Sequence, residues 1–187
     1  MSIFIKQYQW VILISATFAQ ACACFFVQGF GSIALDVKND MSLSNWQIGT
    51  LISAAQLIPL AGLLIAGELL DRYSERFVVG IGTLIVGASL CGAALADSYA
   101  GLLIAFTILG FGYSTAQPGG SKSVSNWFKG NQLGFAMGIR QAGLPLGGAL
   151  ATLLLPFIAG RYSVQAAFLG GGVVALFGAA LFMLLYK

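Results

Sequence analysis

Residues 67–76 read GELLDRYSER and concentrate charge in an otherwise apolar region. They include Glu68, Asp71, Arg72, Glu75 and Arg76, whereas the whole chain of 187 residues has nine Lys and Arg and six Asp and Glu. Apolar residues make up 58% of the sequence and charged residues 8%, which is typical of a membrane protein and not of a water-soluble domain. We interpret this stretch as a short charged loop between two membrane-spanning helices.

The hydropathy pattern predicts an all-α membrane protein with six transmembrane helices. An α-helix needs about 20 mostly apolar residues to cross a hydrocarbon core roughly 30 Å thick. Cap and turn residues then set the limits, with a helix break expected at Pro118-Gly119-Gly120 and a polar loop after it. The predicted helices 1 to 6 cover about residues 10–33, 45–70, 77–96, 99–118, 132–159 and 164–186. No segment is left for a soluble domain, so residues 1–187 are expected to form a single transmembrane domain.

The basic residues predict the orientation, because cytoplasmic loops are enriched in Lys and Arg. Lys38 and Arg161 fall on one side of the membrane. The opposite side carries Lys6, Arg72, Arg76, Lys122, Lys129 and Lys187. We therefore expect both termini in the cytoplasm, with the chain in the plasma or inner membrane. The first apolar stretch is too long for a signal peptide and is read as a retained helix.

Short words of sequence recur in the same order along the chain. NWQIG at 45–49 is echoed by GNQLG at 130–134, and PLAG at 59–62 by PLGG at 145–148. Two further pairs follow, IAG at 65–67 with 158–160 and RYS at 72–74 with 161–163. They set residues 1–98 against residues 99–187. Because each unit has three spans, the second copy must be inverted, which predicts a 3+3 inverted repeat.

The opening stretch resembles the signature loop between helices 2 and 3 of the major facilitator superfamily, G-x-L-x-D-R-x-G-R-R/K. Ser74 replaces a glycine of the signature and Glu75 replaces a base. The matching positions are Gly67, Leu69, Asp71, Arg72 and Arg76. The resemblance implies half of a twelve-helix transporter. The chain would be the N-terminal half or, as the alternative, a half-transporter that works as a homodimer.

In that family the loop latches the cytoplasmic ends of the two halves, the aspartate facing a helix end and the arginines fixing it. Carried over, Gly67, Asp71, Arg72 and Arg76 would be gating residues. The alternative is a positive-inside loop with solvated acids. Many proton-coupled members also carry an arginine in helix 4, where this sequence has Phe106. With no histidine and no acid at mid-depth, no proton carrier is expected in this half.

Arg140 is the one base predicted near the membrane midplane. It lies about nine residues into helix 5, roughly 13 Å at 1.5 Å per residue, and a charge there costs at least ~2.5 kcal/mol unless it faces protein or water. Its planar fork of donors suits a carboxylate or another oxyanion, so we expect an anion ligand. The alternative is an arginine that snorkels or binds helix carbonyls. The expected companions in substrate binding are Gln20, Gln56, Thr107, Gln141 and Tyr113.

Small residues and prolines mark the predicted helix contacts and hinges. Gly134 and Gly138 form a ridge suited to close packing, and Arg140 points nearly opposite Gly138. Helix 5 then continues with a glycine-rich segment in which Pro145 is expected to bend it. The full set of predicted packing and hinge residues is Gly134, Gly138, Gly143, Pro145, Gly147, Gly148 and Pro118.

The sequence predicts secondary transport of a small solute and not catalysis. It has no nucleophile-base pair or nucleotide-binding loop, and its three cysteines lack metal-site spacing, so no cofactor, metal or nucleic acid is expected. The expected partners are a small anion, membrane lipid and a second six-helix half. Two alternatives stay open. One is a carrier or exporter of neutral greasy compounds lined by Phe25, Phe26, Phe106 and Phe111; the other is a non-transporting membrane scaffold.

Overall fold

The computed structural model describes residues 2–186, with side chains from Tyr8 onward, and this part of the chain contains only helices and short connections. Lys187 and the side chain of Lys6, both used to predict the orientation, lie outside the described residues. The helices are α1 Ser2–Gly29, a 3-10 turn Phe30–Ile33, α2 Ala34–Asp40, α3 Asn45–Arg72, α4 Glu75–Ala94, α5 Tyr99–Tyr113, α6 Ala116–Trp127, α7 Asn131–Arg161 and α8 Val164–Leu185.

Among the described residues, six helical segments are long and apolar enough to cross a bilayer, which confirms the predicted six-helix membrane fold. Serine residues begin several of them, since a serine oxygen accepts a hydrogen bond from the unpaired N–H groups of a first turn. At α3, Ser44 and Gln47 form a complete capping box, with the Ser44 N–H 2.8 Å from Gln47 Oε1. The six segments are Tyr8–Asp40, Asn45–Arg72, Glu75–Ala94, Tyr99–Trp127, Asn131–Arg161 and Val164–Leu185.

Two predicted boundaries were wrong because polar residues continue the helices. The first span does not end at residue 33 but turns through Phe30–Ile33 into α2, where Val37 is fully buried and holds the polar turn against the bundle. The charged segment is also mostly helical. Residues 67–72 form the last turns of α3, and only Tyr73 and Ser74 connect it to α4.

The expected break at Pro118-Gly119-Gly120 lies earlier in the chain. The helix is interrupted at Ser114 and Thr115, whose hydroxyls donate to the carbonyls of Phe111 and Gly112 at 2.6 and 3.0 Å and compete with the helical pattern. Pro118 instead lies in the first turn of α6, where an N–H group has no partner in its own helix and its absence is tolerated. The polar stretch that follows is a helix to Trp127 and not a loop.

The helices pack in the pattern that an inverted repeat predicts. The helix α1 packs against α7 and α8, and its counterpart in the second unit, α5, packs against α3 and α4. The third helices of the two units, α4 and α8, pack against each other. Exchanging the units therefore leaves these principal contacts unchanged. The exact limits of the repeat units, residues 1–98 and 99–187, stay a prediction.

The close contact of α7 with α1 depends on two of the predicted glycines. A Cβ atom on Gly143 would lie 2.6 Å from the Thr17 carbonyl oxygen, and one on Gly147 2.4 Å from that of Ala21. Gly134 and Gly138 have no neighbouring atom within 4 Å of the same position, so they make no close contact within the described chain and their packing role stays a prediction. The packed face of α7 is the one that carries Arg140.

We expect Gly147→Val to destabilise the bundle by at least about 2 kcal/mol, because overpacking against backbone leaves neither helix room to relax. The measurement is the free energy of unfolding in mixed detergent micelles. Gly138→Val is the matched control, since it makes the same change in the same helix at an open position. Equal losses in the two variants would contradict this account of the α1–α7 contact.

Candidate functional site

Arg140 lies inside the bundle with 1% of its surface exposed. It belongs to the face of α7 that packs on α1, and α6 covers it from a third side through Gly120. A Cβ atom at Gly120 would lie 2.7 Å from Nη1 of Arg140, so a larger residue there would displace the guanidinium. The Pro-Gly-Gly segment thus lies inside α6 without breaking it, and Gly120 is the member that packs against Arg140.

Four neutral oxygen atoms accept hydrogen bonds from this guanidinium. Nη1 donates to Gln20 Oε1 on α1 at 2.9 Å. Nη2 lies within hydrogen-bonding distance of Gln117 Oε1 at 2.7 Å, Ser121 Oγ at 2.9 Å and Gln141 Oε1 at 2.7 Å. Since Nη2 has two protons, these three acceptors compete for them. The site thus joins α1, α6 and α7 around a single cation.

The charge of Arg140 has no counter-ion in the described part of the chain, where no carboxylate lies within 4.0 Å of it. Two buried donors also lack an acceptor, Arg140 Nε and Gln20 Nε2. Buried donors are nearly always satisfied in proteins, and an unpaired one costs about 1–3 kcal/mol. The site therefore has positive charge and spare N–H groups, but no negative charge.

Two of the predicted companions, Gln20 and Gln141, contact Arg140, and two do not. Gln56 is exposed on α3, and Thr107 donates to the Leu103 carbonyl in its own helix at 2.8 Å. Tyr113 is buried.

Sequence reasoning underestimated Gln117 and missed Ser121. The available signal was their spacing of four residues, which places both on one face of a helix. The wrong helix break at Pro118 hid it.

The signature segment forms ion pairs that differ from the expected ones. Arg72 pairs with Glu68 at 2.6 Å in its own helix, whereas Asp71 lies 3.6 Å from Lys122 on α6. Lys122 is also 3.9 Å from Glu75 and donates to the Leu70 carbonyl at the end of α3. The expected fixing of Asp71 by arginines is thus wrong within the described chain, because Lys122 takes that place.

The other residues of the signature segment differ in the number of contacts they make with neighbouring helices. Glu75 accepts hydrogen bonds from Asn126 at 3.0 Å and from the Tyr186 hydroxyl at 3.4 Å, which joins α4, α6 and the end of α8. The Nε atom of Arg76 is buried and has no acceptor. Gly67 has no atom near its Cβ position, so it makes no close helix contact within the described residues. The side chain of Asp71 is 84% exposed.

The aromatic residues proposed to line a greasy pathway mostly form the core. Phe26 and Phe106 are buried with ring centroids 6.0 Å apart, and Phe30 lies 4.8 Å from Phe106. Phe25 is buried as well, and only Phe111 is exposed. The expected accessible wall is therefore wrong. Phe106, at the family's arginine position, is fully buried in this cluster.

Comparison with known proteins identifies the family. The sequence model of the Major Facilitator Superfamily matches residues 16–187. The chain therefore belongs to this superfamily. An uncharacterized transporter of the superfamily from Mycobacterium tuberculosis is 30% identical over 157 residues, which cover 82% of this chain and 34% of the relative.

Among the relatives with named substrates, two illustrate the class. The galacturonate transporter of Dickeya chrysanthemi is 25% identical over 183 residues, covering 98% of this chain and 53% of the relative. The hexuronate transporter of Bacillus subtilis is 28% identical over 152 residues, covering 81% and 36%. The chain thus spans about a third to a half of the length of these relatives, which are transporters and not enzymes.

A solved structure agrees on the fold. The crystal structure of a bacterial homologue of the human lysosomal transporter Spinster, inward-facing and unoccupied, superposes with a TM-score of 0.83 at 19% identity. The match covers 96% of this chain and 43% of that one. The six helices therefore have the fold of part of a transporter of this superfamily, and the chain is a multi-pass membrane protein.

We expect Lys122→Met to lower the free energy of unfolding by about 1 kcal/mol, since it removes two partly exposed ion pairs and a hydrogen bond to the last turn of α3. The loss should shrink at high salt, which screens the ion pairs. Unfolding in detergent at low and high salt measures both effects. Lys129→Met, an exposed lysine nearby, is the control, and the same loss in both variants would rule out a specific role of Lys122.

Proposed function

We propose that this chain forms one half of a secondary active transporter that moves a small organic or inorganic anion by alternating access. The observation that carries the proposal is the buried guanidinium of Arg140, which has four neutral acceptors, an unused Nε donor and no counter-ion in the described chain. Such a charge is unfavourable in an apolar bundle unless a ligand balances it.

An oxyanion would supply the negative charge and the hydrogen-bond acceptors that this site lacks. Its oxygen atoms accept from Arg140 more strongly than amide oxygens do, because both partners are charged. It can also satisfy the unpaired N–H groups of Arg140 and Gln20. Gln117, Ser121 and Gln141 would then no longer compete for the two protons of Arg140 Nη2. These neutral oxygens thus stabilise the guanidinium only weakly when no ligand is bound, and an anion can replace them as hydrogen-bond acceptors.

The named relatives support an anionic substrate. Galacturonate and hexuronates are carboxylates, and the proteins that carry them match most of this chain. A carboxylate accepts two parallel hydrogen bonds from a guanidinium, which fixes the orientation of the ligand as well as its charge. We therefore favour an organic acid over an inorganic anion as the substrate of the complete transporter.

The second half is part of the proposal. The helices α3 and α7 bury the smallest share of their residues among the six spans, and their apolar side chains need protein or lipid to cover them. A second six-helix unit, either a C-terminal half or another copy of this chain, would cover these faces and complete the substrate pathway.

The proposed orientation places both termini in the cytoplasm of a cell whose plasma or inner membrane holds the protein. Asp71 and Arg72 then lie exposed at the cytoplasmic end of α3 and serve as gating residues toward the second half. Arg76 and Gly67 complete the proposed gate. Pro118 and Pro145 are proposed as points of flexibility beside the site.

Arg140→Gln should abolish binding of galacturonate, with a loss of at least about 100-fold, because a charged bidentate contact is worth several kcal/mol in a buried site. Arg140→Lys should keep part of the affinity, since it retains the charge without the planar fork. Binding is measured with the chain in lipid nanodiscs, using thermal stability across a titration of galacturonate and of a neutral sugar.

The ligand-free variants separate a binding arginine from a structural one. If Arg140 awaits a ligand, Arg140→Gln should be as stable as the wild type without anion or more stable, since it removes an uncompensated buried charge. A loss of several kcal/mol without ligand, together with equal responses of both proteins to galacturonate, would refute the proposal. A response to the neutral sugar alone would favour a neutral substrate.

A further inference from the structure

The hydroxyl group of Ser121 differs from the other serine hydroxyls of α6. Ser123 and Ser125 donate to carbonyl oxygens of their own helix at 2.8 and 3.0 Å, the usual arrangement of a serine inside a helix. Ser121 makes no such bond, and within the described residues its oxygen only accepts, from Nη2 of Arg140 at 2.9 Å. A hydroxyl is both a donor and an acceptor, so the proton of Ser121 is left without a partner.

Unused donors thus meet at Arg140 from three helices. The Nε atom of Arg140 on α7 and the Nε2 atom of Gln20 on α1 have no acceptor, and the Ser121 proton adds a third donor from α6. The oxygens of Gln20 and Ser121 both lie 2.9 Å from the guanidinium, so their unused donors are close to it. Ser121 is also partly exposed, which leaves it accessible to a ligand.

Ser121 can change from acceptor to donor more easily than the amides beside it. Its donor and acceptor share one oxygen atom, whereas an amide has them on different atoms and must flip. Arg140 does not depend on Ser121 as an acceptor. The two protons of Nη2 also have Gln117 and Gln141, whose oxygens are closer, at 2.7 Å each.

We propose that Ser121 is a direct ligand of the bound anion, because its hydroxyl accepts from Arg140 in the empty site and donates to an anion oxygen in the occupied site. This inference rests on the proposed function, since the anion must bind at Arg140. It adds a ligand from α6, so that the anion is held from α6 as well as from α7. Hydrogen bonds to a charged acceptor are shorter and stronger than neutral ones, so Ser121 raises the affinity.

The direction of the change in Ser121→Ala separates the two possible roles of the hydroxyl. A donor to the anion predicts that the variant binds galacturonate about tenfold more weakly than the wild type. A hydroxyl that only competes with the anion for Arg140 predicts unchanged or tighter binding. Affinity is measured as thermal stability across a titration of galacturonate, with the chain in lipid nanodiscs. Ser121→Thr keeps the hydroxyl and should bind within a few-fold of the wild type.

Ser125→Ala is the matched control, because it removes a hydroxyl one turn further along α6 that is bonded within its own helix. It should bind galacturonate like the wild type. Without ligand, Ser121→Ala should unfold at the wild-type temperature, since Nη2 of Arg140 keeps two acceptors.

Two results would overturn the role of Ser121: unchanged or tighter binding in Ser121→Ala, or a loss in Ser121→Thr as large as that in Ser121→Ala. In either case, loss of binding in Arg140→Gln leaves the anion site itself in place. If the wild type does not bind galacturonate, both proposals fail.

Discussion

A full positive charge inside a bundle of apolar helices is the constraint around which this structure is organised. Arg140 is buried because oxygens from α1, α6 and α7 surround its guanidinium. Each of those helices must therefore keep a fixed distance and rotation relative to the others. Gly120, Gly143 and Gly147 make this possible, since a side chain at any of them would meet Arg140 or the backbone of α1. The polar site and the closest helix packing thus share one face of α7.

The neutral oxygens bind Arg140 less strongly than a carboxylate in an ion pair would. A carboxylate beside Arg140 would hold it permanently, because separating two buried charges costs several kcal/mol. Amide and hydroxyl oxygens bind a guanidinium more weakly and can rotate away at little cost. If the site binds and releases an anion in each cycle, as we propose, such neutral ligands serve it better. The absence of a carboxylate near Arg140, within the residues described, is consistent with this requirement.

The fold could be predicted from the sequence because a membrane-spanning helix requires a long apolar segment, which the sequence shows directly. The length, hydropathy and cap residues of the segments predicted six spans, and the repeated short sequence motifs predicted the inverted repeat. The depth and helical phase of Arg140 correctly predicted a buried side chain, and Gln20 and Gln141 were expected beside it. These features depend on positions within one helix, which a sequence shows directly.

The errors arose where the outcome depends on a neighbouring helix. Pro-Gly-Gly at 118–120 is typical of a break, but here the glycines admit Val79 and Arg140 from other helices and α6 continues through them. The pairing of Asp71 depends on Lys122, which is 51 residues away in the sequence and belongs to another helix. The ridge at Gly134 and Gly138 lies on the open face of α7, so its packing role stays a prediction.

The short helix α6 connects the two polar regions of the structure. Gln117 and Ser121 bind Arg140, while Lys122 and Asn126, one and five residues after Ser121, bind the signature segment. The helix α6 has 12 residues and no break. The hydrogen bonds that hold Arg140 and the ion pairs that hold the end of α3 are consequently supported by the same three turns of helix.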